Sequence, residues 1–189
     1  AGGLSGISHI PVQRVEGEGE KVQVKVCGLM GGHSGAEIDK NRANANKLMG
    51  RFLYGLKKKA EYALISLTGG QKDNAITREC TAEFLTDSVA EVKAYAKELQ
   101  EQLREEYTGS DENITFEITE KGTATAEVLH PTSQEKIVFY LQNVPFGIQK
   151  MSGTIKGLVE TSSNIGILRL DRDELFASSS VRSSVDAAC

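Results

Sequence analysis

The chain has 189 residues, which is enough for one domain with a hydrophobic core, and its 39% hydrophobic and 25% charged residues are typical of a soluble globular protein. The net charge of −4 comes without a long basic block, since the tract Lys57–Lys59 is short, so nucleic acid is not an expected partner. No apolar run approaches the roughly 18 residues that cross a bilayer, and the N-terminus lacks a signal-peptide pattern, so no membrane contact is expected.

The first two thirds of the chain predict four strands and two helices. The residues Val22, Val24 and Val26 alternate with polar residues, which indicates a strand with one buried face. The four predicted strands lie at Glu20–Gly28, Glu61–Leu67, about Ala75–Leu85 and Asn113–Glu120. The two predicted amphipathic helices lie at about Asn41–Lys58 and Ser88–Tyr107. Ser88 and Glu91 have the spacing of a capping box, which predicts the start of the second helix.

The order β-α-β-β-α-β predicts an α+β fold of the ferredoxin-like type, in which an antiparallel sheet carries its helices on one face. The last third extends this unit with a helix that Pro131 opens and with further strands. These strands are predicted at Leu158–Thr161, Ile165–Leu170 and Leu175–Val181. We therefore expect one enlarged antiparallel sheet with three helices, and a single domain over residues 1–189.

The sequence contains no recognisable motif for metal binding or for catalysis by this chain alone. The histidines are His9, His33 and His130, and their spacing matches no metal-ligand pattern. No phosphate-binding loop, dinucleotide fingerprint or nucleophile elbow is present. The cysteines are few and far apart (Cys27, Cys80 and Cys189), which favours free thiols in a reducing cytoplasm over disulfides or structural zinc.

Three residues nevertheless occupy unusual settings. His33 lies in the glycine-rich turn Gly31–Gly35, where backbone can approach a ligand closely, although a lone histidine in a loop is more often a surface residue. Asn74 ends a turn-rich loop, a place that turn chemistry alone explains. Arg182 stands among small residues and has room to bind a carboxylate, although a structural ion pair is the more common role.

Three motifs give the chain a family resemblance. The stretch Gly28–Met49, with Asn44-Ala45 after the histidine turn, strongly resembles the aminoacyl-histidine dipeptidases. These enzymes belong to a di-zinc exopeptidase family that also contains carnosinases and aminoacylases. A second family motif, Gly-Gly-x-x-x-Asn-x-Ile, is similar to Gly69–Ile76. A third is similar to Val159–Ile167 followed by Ser180–Ser184, so the resemblance covers nearly the whole chain.

The resemblance implies a division of labour. In this family, a catalytic domain binds two zinc ions, and a lid domain is inserted in the middle of it. The chain resembles the lid alone, and Ala1–Gly3 resemble the segment that follows a metal-binding carboxylate. The resemblance thus implies a zinc-dependent Xaa-His dipeptidase whose zinc ions, as its cofactor, lie in the catalytic domain of the same polypeptide. It implies a cytoplasmic enzyme and an inactive isolated lid. It also allows a homodimer through the lid, or an enlarged lid that mimics one within a single chain.

The resemblance also assigns roles to the three residues. His33 corresponds to the lid histidine that stabilises the charge on the tetrahedral intermediate. Asn74 corresponds to a residue that positions the dipeptide substrate, and Arg182 to the arginine that holds its free carboxylate. The chain departs from the family at Leu85–Ser88, where many lids have Asp-x-Arg and this chain has no arginine.

Two other functions remain open from the sequence. A stand-alone ferredoxin-like binding or dimerisation module without catalysis predicts that His33 is buried or ion-paired. The dipeptidase lid predicts that His33 is exposed and free of structural partners. A small independent hydrolase would require peptidase activity from this chain alone.

Overall fold

The computed structural model describes residues 2–184, and within them it has ten β-strands and three α-helices. The strands are β1 Gly2–Pro11, β2 Arg14–Cys27, β3 Gly32–His33, β4 Tyr62–Gly69, β5 Ala75–Ile76, β6 Cys80–Thr86, β7 Thr115–Leu129, β8 Gly147–Met151, β9 Val159–Leu170 and β10 Glu174–Ser183. The helices are α1 Ala45–Leu56, α2 Val89–Glu106 and α3 Pro131–Asn143. A single 3-10 turn, Ile38–Lys40, precedes α1.

One antiparallel sheet organises the molecule, with the strand order β1-β10-β9-β4-β6-β2-β7 and with β8 paired to β9. The unit β2-α1-β4-β6-α2-β7 contributes four neighbouring strands in the order β4-β6-β2-β7, which is the ferredoxin-like arrangement. Strands β9, β10, β1 and β8 extend the sheet beyond β4, and the short strands β3 and β5 form a separate two-stranded sheet. The predicted α+β fold with an added helix and C-terminal strands is confirmed.

The core lies between the helices and one face of the sheet. Val22, Val24 and Val26 are fully buried, and their polar neighbours in β2 are not, as the alternation predicts. Phe52 of α1 packs against Phe116 of β7 with ring centroids 5.3 Å apart. Buried residues of all three helices belong to this same hydrophobic cluster, so the helices share one face of the sheet.

Several predicted boundaries were wrong. The strand predicted over Ala75–Leu85 is divided into β5 and β6, and the two predicted around Ser162–Asn164 are one strand, β9. Strands β1 and β8 were not predicted. Cys27 and Cys80 are buried free thiols, as expected, whereas Cys189 lies outside the described residues.

Helix α1 begins later than predicted, whereas α2 begins directly after Ser88, as predicted. Helix α1 begins at Ala45 because Asn44 is extended and its side-chain oxygen accepts hydrogen bonds from the backbone N–H groups of Asn46 and Lys47. The capping box predicted for α2 was wrong. The Ser88 side chain makes no cap hydrogen bond, and its backbone N–H instead donates to Thr86 Oγ1 at 3.1 Å.

Within residues 2–184, no helix combines the length and the apolar character that a membrane crossing requires.

Candidate functional site

His33 is held in a tight turn by its own ring. Its Nδ1 accepts hydrogen bonds from the backbone N–H groups of Gly35 and Ala36, each at 3.1 Å. In return, the His33 backbone N–H donates to Glu37 Oε2 at 2.8 Å. Side chain and backbone therefore cap each other across the turn, as in the N-terminal caps of helices. The histidine side chain cannot swing freely while these bonds persist.

Glu37 ties this turn to the residues that follow. Its Oε1 forms an ion pair with Arg42 Nη1 at 2.8 Å, and Arg42 also donates to the Gly31 carbonyl. The hydrogen bond from the His33 N–H, and secondarily the charge of Arg42, hold the pKa of the Glu37 carboxyl below its usual value. Glu37 is consequently a carboxylate near neutral pH, as the capping of His33 requires.

The two backbone donors fix the tautomer of the His33 ring. A nitrogen that accepts hydrogen bonds carries no proton, so the proton of the neutral imidazole lies on Nε2. His33 is exposed, and within residues 2–184 its Nε2 makes no hydrogen bond. The ring therefore presents one oriented N–H donor away from the domain.

A buried carboxylate closes the base of the His33 loop. Asp111 is 1% exposed, and its two oxygens accept the backbone N–H groups of Met30 and Ala43, each at 2.7 Å. These two residues flank the loop that carries His33. One side chain from beyond α2 therefore joins the two ends of the loop.

Asn74 lies beside the His33 turn. The short strands β3 and β5 pair His33 with Ala75, and the Ser34 backbone N–H donates to the Asn74 carbonyl at 2.9 Å. The Asn74 side chain is exposed and has no hydrogen-bond partner within the described part of the chain. Its amide is consequently available to a ligand at the same edge as His33.

Arg182 reaches the same turn from β10. A Cβ built on Gly35 would lie 2.9 Å from both Cζ and Nε of Arg182, so the guanidinium packs directly against the glycine. The Nε atom is buried and has no hydrogen-bond partner among residues 2–184. A buried guanidinium nitrogen without an acceptor is costly, which makes it a candidate for binding an anionic ligand.

The fold accounts for the missing arginine at Leu85–Ser88. In β6, Cys80 pairs with Gly69 close to the Asn74 loop, whereas Thr86 pairs with Tyr62 at the other end of β4. Six residues of strand separate these ends by about 20 Å. An arginine at Leu85–Ser88 would not contact the His33 turn within this chain, and Arg182 does contact it.

The structure thus brings all three predicted site residues to one edge of the sheet. The expectation that His33 is exposed is confirmed. The expectation that it is free of structural partners was wrong, because Nδ1 is engaged by the backbone. Among residues 2–184, His33 is neither buried nor ion-paired, contrary to what a stand-alone module predicts. Among residues 2–184, no group of three or more His, Cys, Asp or Glu side chains is arranged to hold a metal ion.

The contact between Gly35 and Arg182 yields a prediction that requires no assumption about function. In the Gly35→Ala variant, the new methyl must displace the guanidinium, so we expect the NMR signal of Arg182 Nε–H to shift. The matched control is Gly153→Ala, because neither glycine has a left-handed backbone and a Cβ at Gly153 meets nothing within 4 Å. Both variants should unfold within about 1 kcal/mol of the parent chain, since a flexible side chain can move aside. An unshifted Arg182 signal in Gly35→Ala would contradict the packing described here.

Comparison with known proteins shows which family this chain resembles. The chain matches the family described as the peptidase dimerisation domain, and the similarity to that family covers residues 24–111. Over nearly its whole length, the chain is also 31% identical, over 191 residues, to the cytosol non-specific dipeptidase of Escherichia coli (strain K12), a match that covers 99% of the chain and 39% of that protein.

A comparison of three-dimensional structures matches the chain over nearly the same length. The chain superposes on the crystal structure of aminoacylhistidine dipeptidase from Vibrio alginolyticus with a TM-score of 0.92, at 28% identity. This match covers 98% of the chain and 39% of that structure. The resemblance stated from the motifs is therefore confirmed, and the chain spans about two fifths of the length of both relatives.

Proposed function

We propose that this chain is the lid of a dipeptidase that hydrolyses Xaa-His dipeptides such as β-alanyl-histidine, with His33 as its catalytic contribution. One observation carries the proposal. The Nδ1 atom of His33 is held by two backbone N–H groups, so an Nε2–H donor projects from the domain beside the unpartnered Nε of Arg182. An oriented neutral donor next to an unfilled guanidinium is suited to a peptide that ends in a carboxylate.

In the proposed reaction, the scissile carbonyl of the dipeptide accepts a hydrogen bond from His33 Nε2. Attack by water places negative charge on that oxygen, and a fixed donor stabilises the charge more than it stabilises the neutral carbonyl. Because the N–H groups of Gly35 and Ala36 already hold the ring, and Glu37 holds the His33 backbone, the donor needs no reorientation as the charge develops. His33 donates this hydrogen bond without having to transfer its proton.

Arg182 and Asn74 bind the two ends of the histidine residue of the substrate in this proposal. The half-buried guanidinium receives the free C-terminal carboxylate through charge-assisted hydrogen bonds. The exposed Asn74 amide hydrogen-bonds the peptide and keeps the scissile bond beneath His33. A longer peptide presents no charge at the guanidinium, which explains a preference for dipeptides.

The rest of the machinery belongs to the proposed catalytic half of the same polypeptide. Zinc is its proposed cofactor. The described residues offer no group of side chains that could hold a metal, so the catalytic half would supply the zinc ligands. Residues 1–189 act as a single inserted lid in this proposal. The match to a peptidase dimerisation domain favours a homodimer formed through the lid, and the name of the Escherichia coli relative favours a cytoplasmic enzyme.

A substrate panel on the complete polypeptide tests the proposed activity. With zinc present, we expect hydrolysis of Xaa-His dipeptides, at least tenfold slower hydrolysis of the corresponding tripeptides because Arg182 then meets no carboxylate, and no hydrolysis by the 189-residue chain alone. The two relatives are named for different specificities, so the panel includes dipeptides that end in residues other than histidine. Equal rates on all dipeptides would reject the Xaa-His preference, and activity of the isolated chain would reject the lid.

A further inference from the structure

A buried amide on β9 contacts both loops that meet at the candidate site. Asn164 is 1% exposed. Its Nδ2 donates to the carbonyl of Asp73 at 3.0 Å and to that of Ala75 at 2.9 Å. Its Oδ1 accepts from Asn44 Nδ2 at 3.1 Å. The side chain therefore joins the Asn74 loop on one side to Asn44, the residue that caps the start of helix α1, on the other.

The two acceptor carbonyls flank Asn74. The residues before and after Asn74 are both hydrogen-bonded to Asn164. These bonds fix the position of the Asn74 backbone relative to β9. Ala75 is also the register partner of His33, so the same amide sets the position of the β3-β5 pair.

The other end of the network leads to the segment that follows the His33 loop. The Asn44 Nδ2 group also donates to the Ile165 carbonyl at 2.9 Å, while its Oδ1 caps α1. Thr77 Oγ1 donates to the same Ile165 carbonyl at 3.2 Å. This bond holds the segment between β5 and β6 against β9. Two segments that are distant in sequence, at residue 44 and at residues 73–77, are thus tied to two consecutive residues of β9.

The site demands a carboxamide. Both acceptors of Nδ2 are backbone carbonyls, and the partner of Oδ1 is a donor, so only a group with two donor hydrogens and an acceptor satisfies all three. An aspartate at position 164 has the same shape but would direct oxygen lone pairs at two carbonyls. Gly166 lies close by, and a Cβ there would overlap the backbone of Lys72 and Asp73, so the loop packs directly on the strand.

We propose that Asn164 is a positioning residue that holds Asn74 in register with His33 while leaving Arg182 to bind independently. Arg182 is placed by the pairing of β10 with β9 and β1, which does not depend on the Asn164 side chain. The effect of Asn164 on catalysis rests on the proposed function, whereas its effect on the loops does not.

The loop geometry is tested first in the 189-residue chain. In Asn164→Asp, we expect the amide hydrogen of Ser34, which donates to the Asn74 carbonyl, to exchange with solvent at least tenfold faster, because local opening becomes easier. Amides in the centre of β2 should keep their protection. The control is Asn143→Asp, an exposed amide whose Nδ2 donates only to the Phe139 carbonyl, and it should leave Ser34 unchanged.

The catalytic consequence is tested in the complete polypeptide. Displacement of the loops should lower kcat on a Xaa-His dipeptide by roughly 10- to 100-fold, since small misplacements of oriented groups reduce rates steeply. The preference for the free acid over the C-terminal amide should be retained, because Arg182 keeps its place. A merely structural role would lower the rates on the acid and on the amide alike, and only in proportion to the folded fraction.

The outcomes separate the positioning role from the proposed function. Unchanged exchange at Ser34 in Asn164→Asp overturns the positioning role, whatever the activity. Faster exchange at Ser34 in Asn164→Asp, together with an unchanged kcat in His33→Ala, supports the positioning role and overturns the proposed function. If Asn164→Asp does not fold, Asn164→Ser removes the same bonds without a buried charge and should accelerate exchange at Ser34. If neither variant folds, Asn164 serves stability alone and the inference is rejected.

Discussion

Replacing His33 with alanine in the complete polypeptide is expected to lower kcat on a Xaa-His dipeptide on the order of 100-fold or more. The physical reason is the loss of a donor that is already aimed at the developing charge and held in place by Gly35 and Ala36. Because the hydrogen bond strengthens only as the charge forms, KM should change little. Steady-state kinetics on parent and variant provide the measurement.

The control for this experiment is His9→Ala. His9 is also exposed, but it pairs with Glu174 at 3.0 Å and stacks edge-on against Phe176, away from the turn. This variant should keep the parental kcat. Since His33→Ala also removes the acceptor for two backbone N–H groups, its folded state is verified by thermal melting before the rates are compared. A loss of less than about threefold would reject the oxyanion role of His33.

The ferredoxin-like part of the fold was predictable because its strands have a single buried face. The alternation of Val22, Val24 and Val26 specifies the buried side of β2 without reference to any other segment. Strand β1 has no such signal. Its residues are mostly small or exposed, and it exists because its backbone pairs with β10 along its whole length. A pattern in one segment cannot show that a distant segment will complete its hydrogen bonds.

The middle of β9 shows the same limit in a polar stretch. Ser162, Ser163 and Asn164 were predicted to interrupt a strand, yet all three are buried. Buried polar residues are tolerated where every donor and acceptor is satisfied, and the partners of Asn164 come from two remote loops. The motif that contains Asn164 was recognised in the sequence, but its contacts could be assigned only once the strands were assembled.

The candidate site was also predictable only in part from the sequence. The exposure of His33 followed from its glycine-rich turn. The fixing of its tautomer did not, although a glutamate four residues later is a local signal of reciprocal capping. The approach of Arg182 to Gly35 depends on the pairing of β10 with β9 and on the route of the chain between them, so no spacing rule could reveal it.

Replacing Arg182 with methionine is expected to remove the preference for a free C-terminal carboxylate. Charge-assisted hydrogen bonds are worth about 1.5–3 kcal/mol, so kcat/KM on the free dipeptide should fall by roughly 10- to 100-fold. The same dipeptide with a C-terminal amide has no charge to lose, and its kcat/KM should change by less than about threefold. The ratio of kcat/KM for acid and amide is the measurement.

Two further variants separate the clamp from general effects of charge. Arg172→Met removes an arginine whose side chain is 76% exposed at the β9-β10 turn, and it should leave the acid preference intact. Arg182→Lys keeps the charge but loses the planar fork and the close fit against Gly35, so its acid preference should lie between those of the parent and the methionine variant. If Arg182→Met still prefers the acid as strongly as the parent does, the carboxylate is bound elsewhere. The buried, unpartnered Nε would then be a cost of the fold that the catalytic half does not relieve.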